Sequence, residues 1–368
     1  MKNVAARSNS SKPDSQTMSA PTLRSLARTL GVSRTTISEA LRGSPRVRPS
    51  TAERIRAAAE AVGYHHNPLA GAIMSELRRS RGELFRGVLA IVGVDEPDRP
   101  AYAVRFYDEL VRGATARAAE LGFKVERFTV DATVLPLRRL NHILQSRGIR
   151  GVMLLPTWQD PDFLKLDWTR YAGVYMDYYI ERPALICISS DHFRSMMMAL
   201  QKLHALGYRR PGVVLLRHQD ERLHHRWEGA YLAFQRHHAA PNPVPPLLAD
   251  TMDAKTFSTW FRRHEPDVVL SHFVESIEWM KACGAKIPQT HGYFCLNLVH
   301  ADRPCAGLDQ APHLIGVRGA ELVIAQLHRN ERGVPSSYSL TTLPSTWVDG
   351  PTLKRRAIKS EPAKEVVV

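Results

Sequence analysis

Residues 22–73 constrain the fold most. Leu23, Leu26, Ala27 and Leu30 fall at i, i+3, i+4 and i+7, which lines one face of a helix. Thr22 is placed to cap that helix, with Pro21 as its boundary. Gly31 follows the last apolar residue, where left-handed backbone costs glycine little. Val32 fills the corner. Ser33 is placed to cap a second helix, from which Ile37 and Leu41 point inward. The other face of this helix carries Arg34, Thr35, Ser38, Glu39 and Arg42, and Gly43 ends it. Ser50 and Glu53 predict a capping box for a third helix, whose Ile55, Ala58, Ala59 and Val62 cover the first two. The result is a helix-turn-helix closed by a third helix.

Charge says what such a bundle would meet. Through Arg81 there are fourteen Lys and Arg against five Asp and Glu, a net +9 of the chain's +14. That concentration in about a fifth of the chain is an electrostatic footprint for nucleic acid. Arg34 and Thr35 stand at the start of the second helix, the end that enters a major groove. Arginine pairs bidentately with guanine, and Glu39 accepts from a cytosine amino group. Arg24, Arg28, Arg46, Arg48, Arg54 and Arg56 fit phosphates, which give position and affinity rather than sequence reading.

Thr22-Leu23, Leu26-Ala27, Gly31-Val32-Ser33, Thr36-Ile37-Ser38, Val47, Thr51, Ile55, Gly63-Tyr64, Asn67, Ala70 and Ile73 together resemble the lactose/galactose repressor family of bacterial transcription regulators. The resemblance implies a hinge after the Tyr64-His65-His66-Asn67 motif, made helical by operator binding, with Ile73 as the side chain that wedges between base pairs of the minor groove. An isolated short helix is marginal in water, so DNA and dimer packing must hold it, and a wedge kinks the duplex. His66 precedes Asn67 where the family often has Pro, and Gly71 lowers helix propensity. A plain linker is the competing reading of this segment. The expected DNA-contacting residues are Thr22, Ser33, Arg34, Thr35, Thr36, Ser38, Glu39, Arg42, Arg46, Asn67, Ala70 and Ile73.

From Phe85 onward short apolar runs alternate with amphipathic helices. Strands are expected at 87–94, 124–130, 151–155, 174–177, 184–188, 212–216, 267–270 and 293–296. Helices are expected at 106–121, 136–147, 191–206, 221–238, 254–264 and 275–283. Such alternation gives parallel sheets covered on both faces, and the length suits two lobes. The resemblance implies a periplasmic-binding-protein-like pair of lobes, three crossovers and a ligand in the cleft. Parallel sheets hold ligands beyond the carboxyl ends of their strands. That rule, with the resemblance, selects Phe106, Tyr107, Trp158, Asp177, Arg226, Phe273 and Asn297 as effector-binding. At Phe273 (or His272) and Asn297 the family usually has acids. Fewer carboxylates mean fewer acceptors for sugar hydroxyls.

The expected organisation is a tail over 1–20, the DNA-binding domain over 21–66, a hinge over 67–82, a two-lobed ligand-binding and dimerisation domain over 83–350 and a tail over 351–368. The fold class is an all-α helix-turn-helix domain followed by an α/β two-lobed effector domain with parallel sheets. No apolar run approaches bilayer length, and residues 1–20 lack the apolar core of a secretion signal. Cys187, Cys283, Cys295 and Cys305 are scattered, which suits reduced core thiols. Adjacent histidine pairs do not face one another on a helix, so no metal is expected. Neither a phosphate loop nor a nucleophile elbow is present, so no enzyme and no cofactor are expected. Asp191 more simply caps a helix than starts a catalytic site. The expectation is a cytoplasmic, nucleoid-associated homodimer, a repressor-type regulator that binds near-palindromic double-stranded DNA under the control of a sugar or related metabolite. A solute-binding protein of the same fold and a ligand-independent DNA-binding protein are the alternatives.

Overall fold

The computed structural model describes residues 23–41, 47–61, 85–97, 99, 101–131, 133–158, 161–177, 180–238 and 242–355. The chain divides into two compact units, residues 1–80 and 81–368.

The first unit holds α1 (Leu23–Leu30), α2 (Arg34–Leu41) and α3 (Pro49–Ala61). Leu26, Ile37, Ala40, Val47, Ala52, Ile55 and Ala59 form its buried core, with Ala27, Leu30, Val32, Leu41 and Ala58 packed against it. Gly31 makes the turn at φ +65°. Ser33 Oγ accepts the Thr36 amide at 3.0 Å, the expected cap. Ser50 does not cap α3. The helix opens at Pro49, which has no N–H to lose in the first turn, and the Arg48 carbonyl receives Thr51 and Ala52.

The second unit is built on two six-stranded sheets. In the first lobe the elements are β1 (Gly87–Val94), α4 (Ala101–Glu120), β2 (Phe123–Val130), α5 (Leu137–Ser146), β3 (Gly151–Leu154), β4 (Ala172–Met176) and β5 (Ile186–Ser190). The chain then crosses to α6 (His192–Ala205), β6 (Pro211–Leu216), α7 (Arg217–Arg222), α8 (Arg226–His237), β7 (Leu247–Ala249), α9 (Ala254–His264), β8 (Val268–Ser271), α10 (Ser276–Ala282), β9 (Gly292–Cys295) and β10 (Ala306–Asp309). It returns to the first lobe with α11 (Pro312–Arg329) and β11 (Leu340–Leu343), and crosses a third time to β12 (Thr346–Val348). The strand orders are β11-β5-β4-β3-β1-β2 and β12-β10-β9-β8-β6-β7. Every pairing is parallel except β10 with β12.

Period-2 alternation distributes each central strand between two cores. Leu89 and Ile91 face α4 and α11, while Ala90 and Val92 face α5. Val213 and Leu215 face α6 and α8, while Val214 and Val269 face α9 and α10. The crossings are tied together: Ser190 Oγ donates to the Gln310 carbonyl at 3.1 Å, the Asp191 amide to Leu343 at 2.8 Å, and Ser195 Oγ meets Ser345 Oγ at 2.8 Å. Helices α4 and α11 cross almost backbone to backbone. A Cβ on Gly113 would lie 1.9 Å from the His313 carbonyl oxygen, and one on Gly316 would lie 2.0 Å from that of Leu110.

The second unit also departs from the sequence reading. The helix expected over 221–238 is two, because His224 and His225 adopt φ of 53° and 54° and break the ladder. The chain past 350 stays on the second lobe at first: Thr352 Oγ1 accepts the Ala306 amide at 2.9 Å and donates to Tyr293 at 2.8 Å.

Candidate functional site

In the first unit α2 presents Thr35 outward, with Thr36 and Glu39 half-buried at its flank. Exposed Arg48, Arg54 and Arg56 belong to α3 and its approach, and exposed Arg28 to α1. The backbone at Arg34 and Ser38 is helical. Thr22, Arg42, Arg46, Asn67, Ala70 and Ile73 lie outside the described residues.

The second unit has a cavity between its lobes, enclosing about 620 Å³ with its mouth included. Its walls come from the carboxyl ends of the parallel strands, as the topology requires. From the first lobe α4 brings Ala103, Phe106 and Tyr107, the segment after β3 brings Pro156, Thr157 and Trp158, and Asp177 follows β4. From the second lobe come His192 at the start of α6, Gln219 and Arg222 of α7, Leu223 just beyond it, and Trp227 of α8. His272 follows β8, Asn297 and His300 follow β9, and Gln310 follows β10.

Of the seven effector residues expected from sequence, Phe106, Tyr107, Trp158, Asp177 and Asn297 line this cavity, and Arg226 and Phe273 do not. Phe273 packs on the α9–α10 side, its carbonyl receiving the Tyr293 hydroxyl at 3.0 Å. In extended chain, successive side chains point to opposite sides, so His272 takes the cavity. Arg226 does not line the cavity, though its charge bears on His192. His192, Gln219, Arg222, Trp227, His300 and Gln310 were not selected. The carboxyl-end rule locates His192, immediately after β5. The same rule reaches Gln219 and Arg222 after β6, His300 after β9 and Gln310 after β10, and only Trp227, inside α8, lies beyond it.

The lining is held in place from behind. Glu96 accepts the Trp158 amide at 2.6 Å and pairs with Arg99 at 2.7 Å, while the Arg99 guanidinium lies 4.5 Å from the centre of the Tyr107 ring. Asn297 Oδ1 accepts the Val299 amide at 3.3 Å, and its Nδ2 meets His300 Nε2 at 3.2 Å. The lobes also touch across the cavity. Arg105 donates to the carbonyls of Val299 at 3.0 Å and His300 at 2.7 Å, and the Trp158 and His218 rings are centred 5.0 Å apart.

The electrostatics are those of buried polar groups around a hollow. Burial raises the Asp177 carboxyl from 3.8 to about 7. It lowers His192 to about 3, with Arg226 and then His272 adding to the shift, and lowers His272 to about 4. His300 is pushed well down by burial, then by His272 and Arg105. Burial raises the Tyr107 phenol. Several buried polar atoms of the lining have no protein partner: Trp158 Nε1, Asp177 Oδ1, His192 Nδ1, Gln219 Oε1, Trp227 Nε1 and both nitrogens of His272. Buried polar groups in native proteins are nearly always satisfied, so this set is arranged for a ligand or for water.

Outside the cavity, the ligand-type atoms of Asp220, His225 and Glu228 lie within 4.8 Å of one another. The Asp220 carboxylate is already committed to the amides of Trp227 at 3.1 Å and Glu228 at 3.3 Å, where it starts α8. Among the described residues no helix is long and apolar enough to cross a membrane.

Residues 22–67 match the family described as bacterial regulatory proteins, lacI family. The chain is 24% identical over 323 residues to the HTH-type transcriptional regulator CelR of Thermobifida fusca, covering 83% of this chain and 92% of that protein. It is 26% identical over 196 residues to the HTH-type transcriptional regulator PtxS of Pseudomonas plecoglossicida, about half of each. Among solved structures, a CelR–cellobiose complex aligns with TM-score 0.56 at 22% identity, over 90% of this chain and 99% of that one. The lac repressor dimer bound to operator and the anti-inducer ONPF aligns with TM-score 0.53 at 16% identity, over 90% and 98%. The amino-terminal segment is thus similar to the lacI-family regulators over residues 22–67, and the two-lobed unit has the fold of the solved structures it aligns with.

Proposed function

We propose that this chain is a transcriptional regulator of the lacI type, a repressor whose affinity for its operator is set by a sugar held between the lobes of the second unit. One observation carries the reading: a domain of DNA-binding type is joined to a hollow lined by buried polar atoms that have no protein partner. Arg34, Thr35, Ser38, Glu39 and Arg42 would read base edges. Thr22, Ser33, Thr36 and Arg46 would fix register on phosphates. The segment 67–82 would be the hinge, with Asn67 and Ala70 at the minor groove and Ile73 as its wedge. One reading head spans a half-site, so the working form is a homodimer on a near-palindrome. Its place is the cytoplasm, on the nucleoid, and its chemistry is recognition rather than turnover.

In the cleft Phe106, Tyr107 and Trp158 would supply aromatic faces, and Asp177, Gln219, Arg222 and Asn297 the hydrogen bonds that orient the ligand. Arg226 would act through its charge on His192. Ligand moves the protein between states only by its different affinity for each. Cellobiose, the sugar in the CelR complex, is the first probe. The test is a thermal-shift screen of sugars on the full chain and on Trp158→Ala, with each hit then added to a duplex selected from a random pool. A sugar that stabilises the wild type, loses its effect in the variant and alters duplex affinity supports the proposal. A sugar that stabilises both proteins equally and leaves duplex affinity unchanged refutes the cleft as the controlling site.

A further inference from the structure

The second-lobe wall of the cavity has an unusual inventory. His192, Trp227 and His272 stand together, the Trp227 ring centred 5.0 Å from His192 and 5.6 Å from His272, edge to face with each. Their exposures are 2%, 1% and 5%. Trp227 Nε1, His192 Nδ1 and both nitrogens of His272 are buried without a partner. Indole N–H can only donate, and imidazole becomes a pure donor on protonation. The charge of Arg226 on α8 bears on His192, Arg222 on α7 lines the cavity, and Arg105 on α4 reaches the His300 carbonyl. The remaining titratable groups facing the wall are His300 after β9, Tyr107 on α4 and Asp177 after β4. Asp177 is the single carboxyl among the lining residues, and it belongs to the opposite lobe.

We infer that the effector carries a carboxylate, and that the His192–Trp227–His272 wall receives it with uptake of a proton from solvent. The inference rests on the cleft being the effector site. A neutral sugar hydroxyl donates a hydrogen bond as well as accepting one. A neutral imidazole nitrogen can accept that hydroxyl proton, so what sets the wall apart is charge: no carboxylate stands among these three residues, while Arg222 lines the same lobe and the Arg226 charge bears on His192. A carboxylate only accepts, and each group here is a donor or becomes one. Burial keeps both imidazoles neutral in the free protein, with Arg226 and then His272 adding to the effect at His192. An anion in contact reverses that balance and favours the imidazolium. The proton comes from the buffer and joins an imidazole nitrogen, and no other bond changes. Asp177, already disposed to keep its proton near neutrality, is pushed further that way by the same anion and can donate to the ligand.

The test is isothermal titration of the full chain with D-glucuronate and with D-glucose, which differ at one carbon, in phosphate and in Tris. Glucuronate is expected to bind at least about tenfold more tightly at pH 6. Its observed enthalpy should shift between the buffers, and its affinity should fall by up to about tenfold per pH unit toward pH 8, as uptake of one proton requires. His272→Gln and His192→Gln should each reduce the affinity for glucuronate toward that for glucose. Glucose binding as tightly as glucuronate, with no buffer dependence, overturns the inference and leaves the cleft a sugar site. Glucuronate affinity undiminished in both variants also overturns it, by placing the anion elsewhere. Absence of binding by glucuronate, glucose and cellobiose alike overturns this inference together with the sugar reading on which it rests.

Discussion

Asp177→Asn separates a carboxyl placed for a ligand from one that stabilises the fold. The residue sits at φ 84°, its amide donating to Ile188 at 2.7 Å, and Oδ1 is buried without a partner. Burial lifts its carboxyl from 3.8 to about 7. A folded-state value above the unfolded one means that the folded chain holds the proton longer. The cost is absent below 3.8, grows between 3.8 and 7, and is complete above 7. Fully expressed, the shift is worth ~4 kcal/mol at pH 8 and about 1.5 kcal/mol at pH 5. The residue as a whole is only half-buried, so a difference of ~2 kcal/mol between those pH values is expected after solvent screening. Asparagine carries no such pH dependence. The variant should therefore gain on the wild type by ~2 kcal/mol between pH 5 and pH 8, whatever constant its own amide adds. Urea unfolding followed by tryptophan fluorescence measures this cleanly, because all six tryptophans lie in the second unit. The other titrating groups, His192 and His272 included, are common to both proteins and cancel. Parallel stability curves across pH 5–8 would refute the claim that Asp177 is held desolvated at a cost to the fold.

Gly113→Ala should destabilise the second unit by ~2 kcal/mol or more, because the added carbon falls within 1.9 Å of the His313 carbonyl oxygen. Gly229→Ala meets nothing within 4 Å in the interior of α8 and should be neutral or stabilising, up to about 1 kcal/mol; paired urea midpoints check both. Ser33→Ala should cost about 1 kcal/mol through loss of the α2 cap, read as faster hydrogen exchange of the α2 amides in the full chain. Arg226→Ala should weaken the response to ligand while sparing duplex binding, read by anisotropy titrations with and without the sugar.

Strongly periodic features were the most legible. The α1 stripe, the glycine turn and the Ser33 cap are local rules, and local geometry obeys them. The alternation of apolar runs with helices announced two parallel sheets, since a strand buried on both faces must be apolar throughout. What stayed illegible depends on contacts made at a distance. Helix α11 returns to the first lobe after the whole of the second, and only its fit against α4 at Gly113 and Gly316 shows why. Strands β11 and β12 are short and half-exposed, so hydrophobic patterning does not mark them. In the cleft the carboxyl-end rule reached Trp158, Asp177 and Asn297 but chose Phe273 over His272. A one-residue error in extended chain exchanges cavity for core. Trp227 beside Arg226 is a similar slip, on a helix whose start is shifted by two left-handed histidines.

The most direct measurement is the affinity of the full-length chain for a duplex selected from a random pool, against a scrambled duplex, at moderate salt and with a cleft ligand titrated in. Specific binding at least about a thousandfold tighter than non-specific, shifted by the ligand in the wild type but not in Trp158→Ala, is the expected result. Equal affinity for both duplexes, unmoved by any sugar or sugar acid that demonstrably occupies the cleft, would contradict the account at its root.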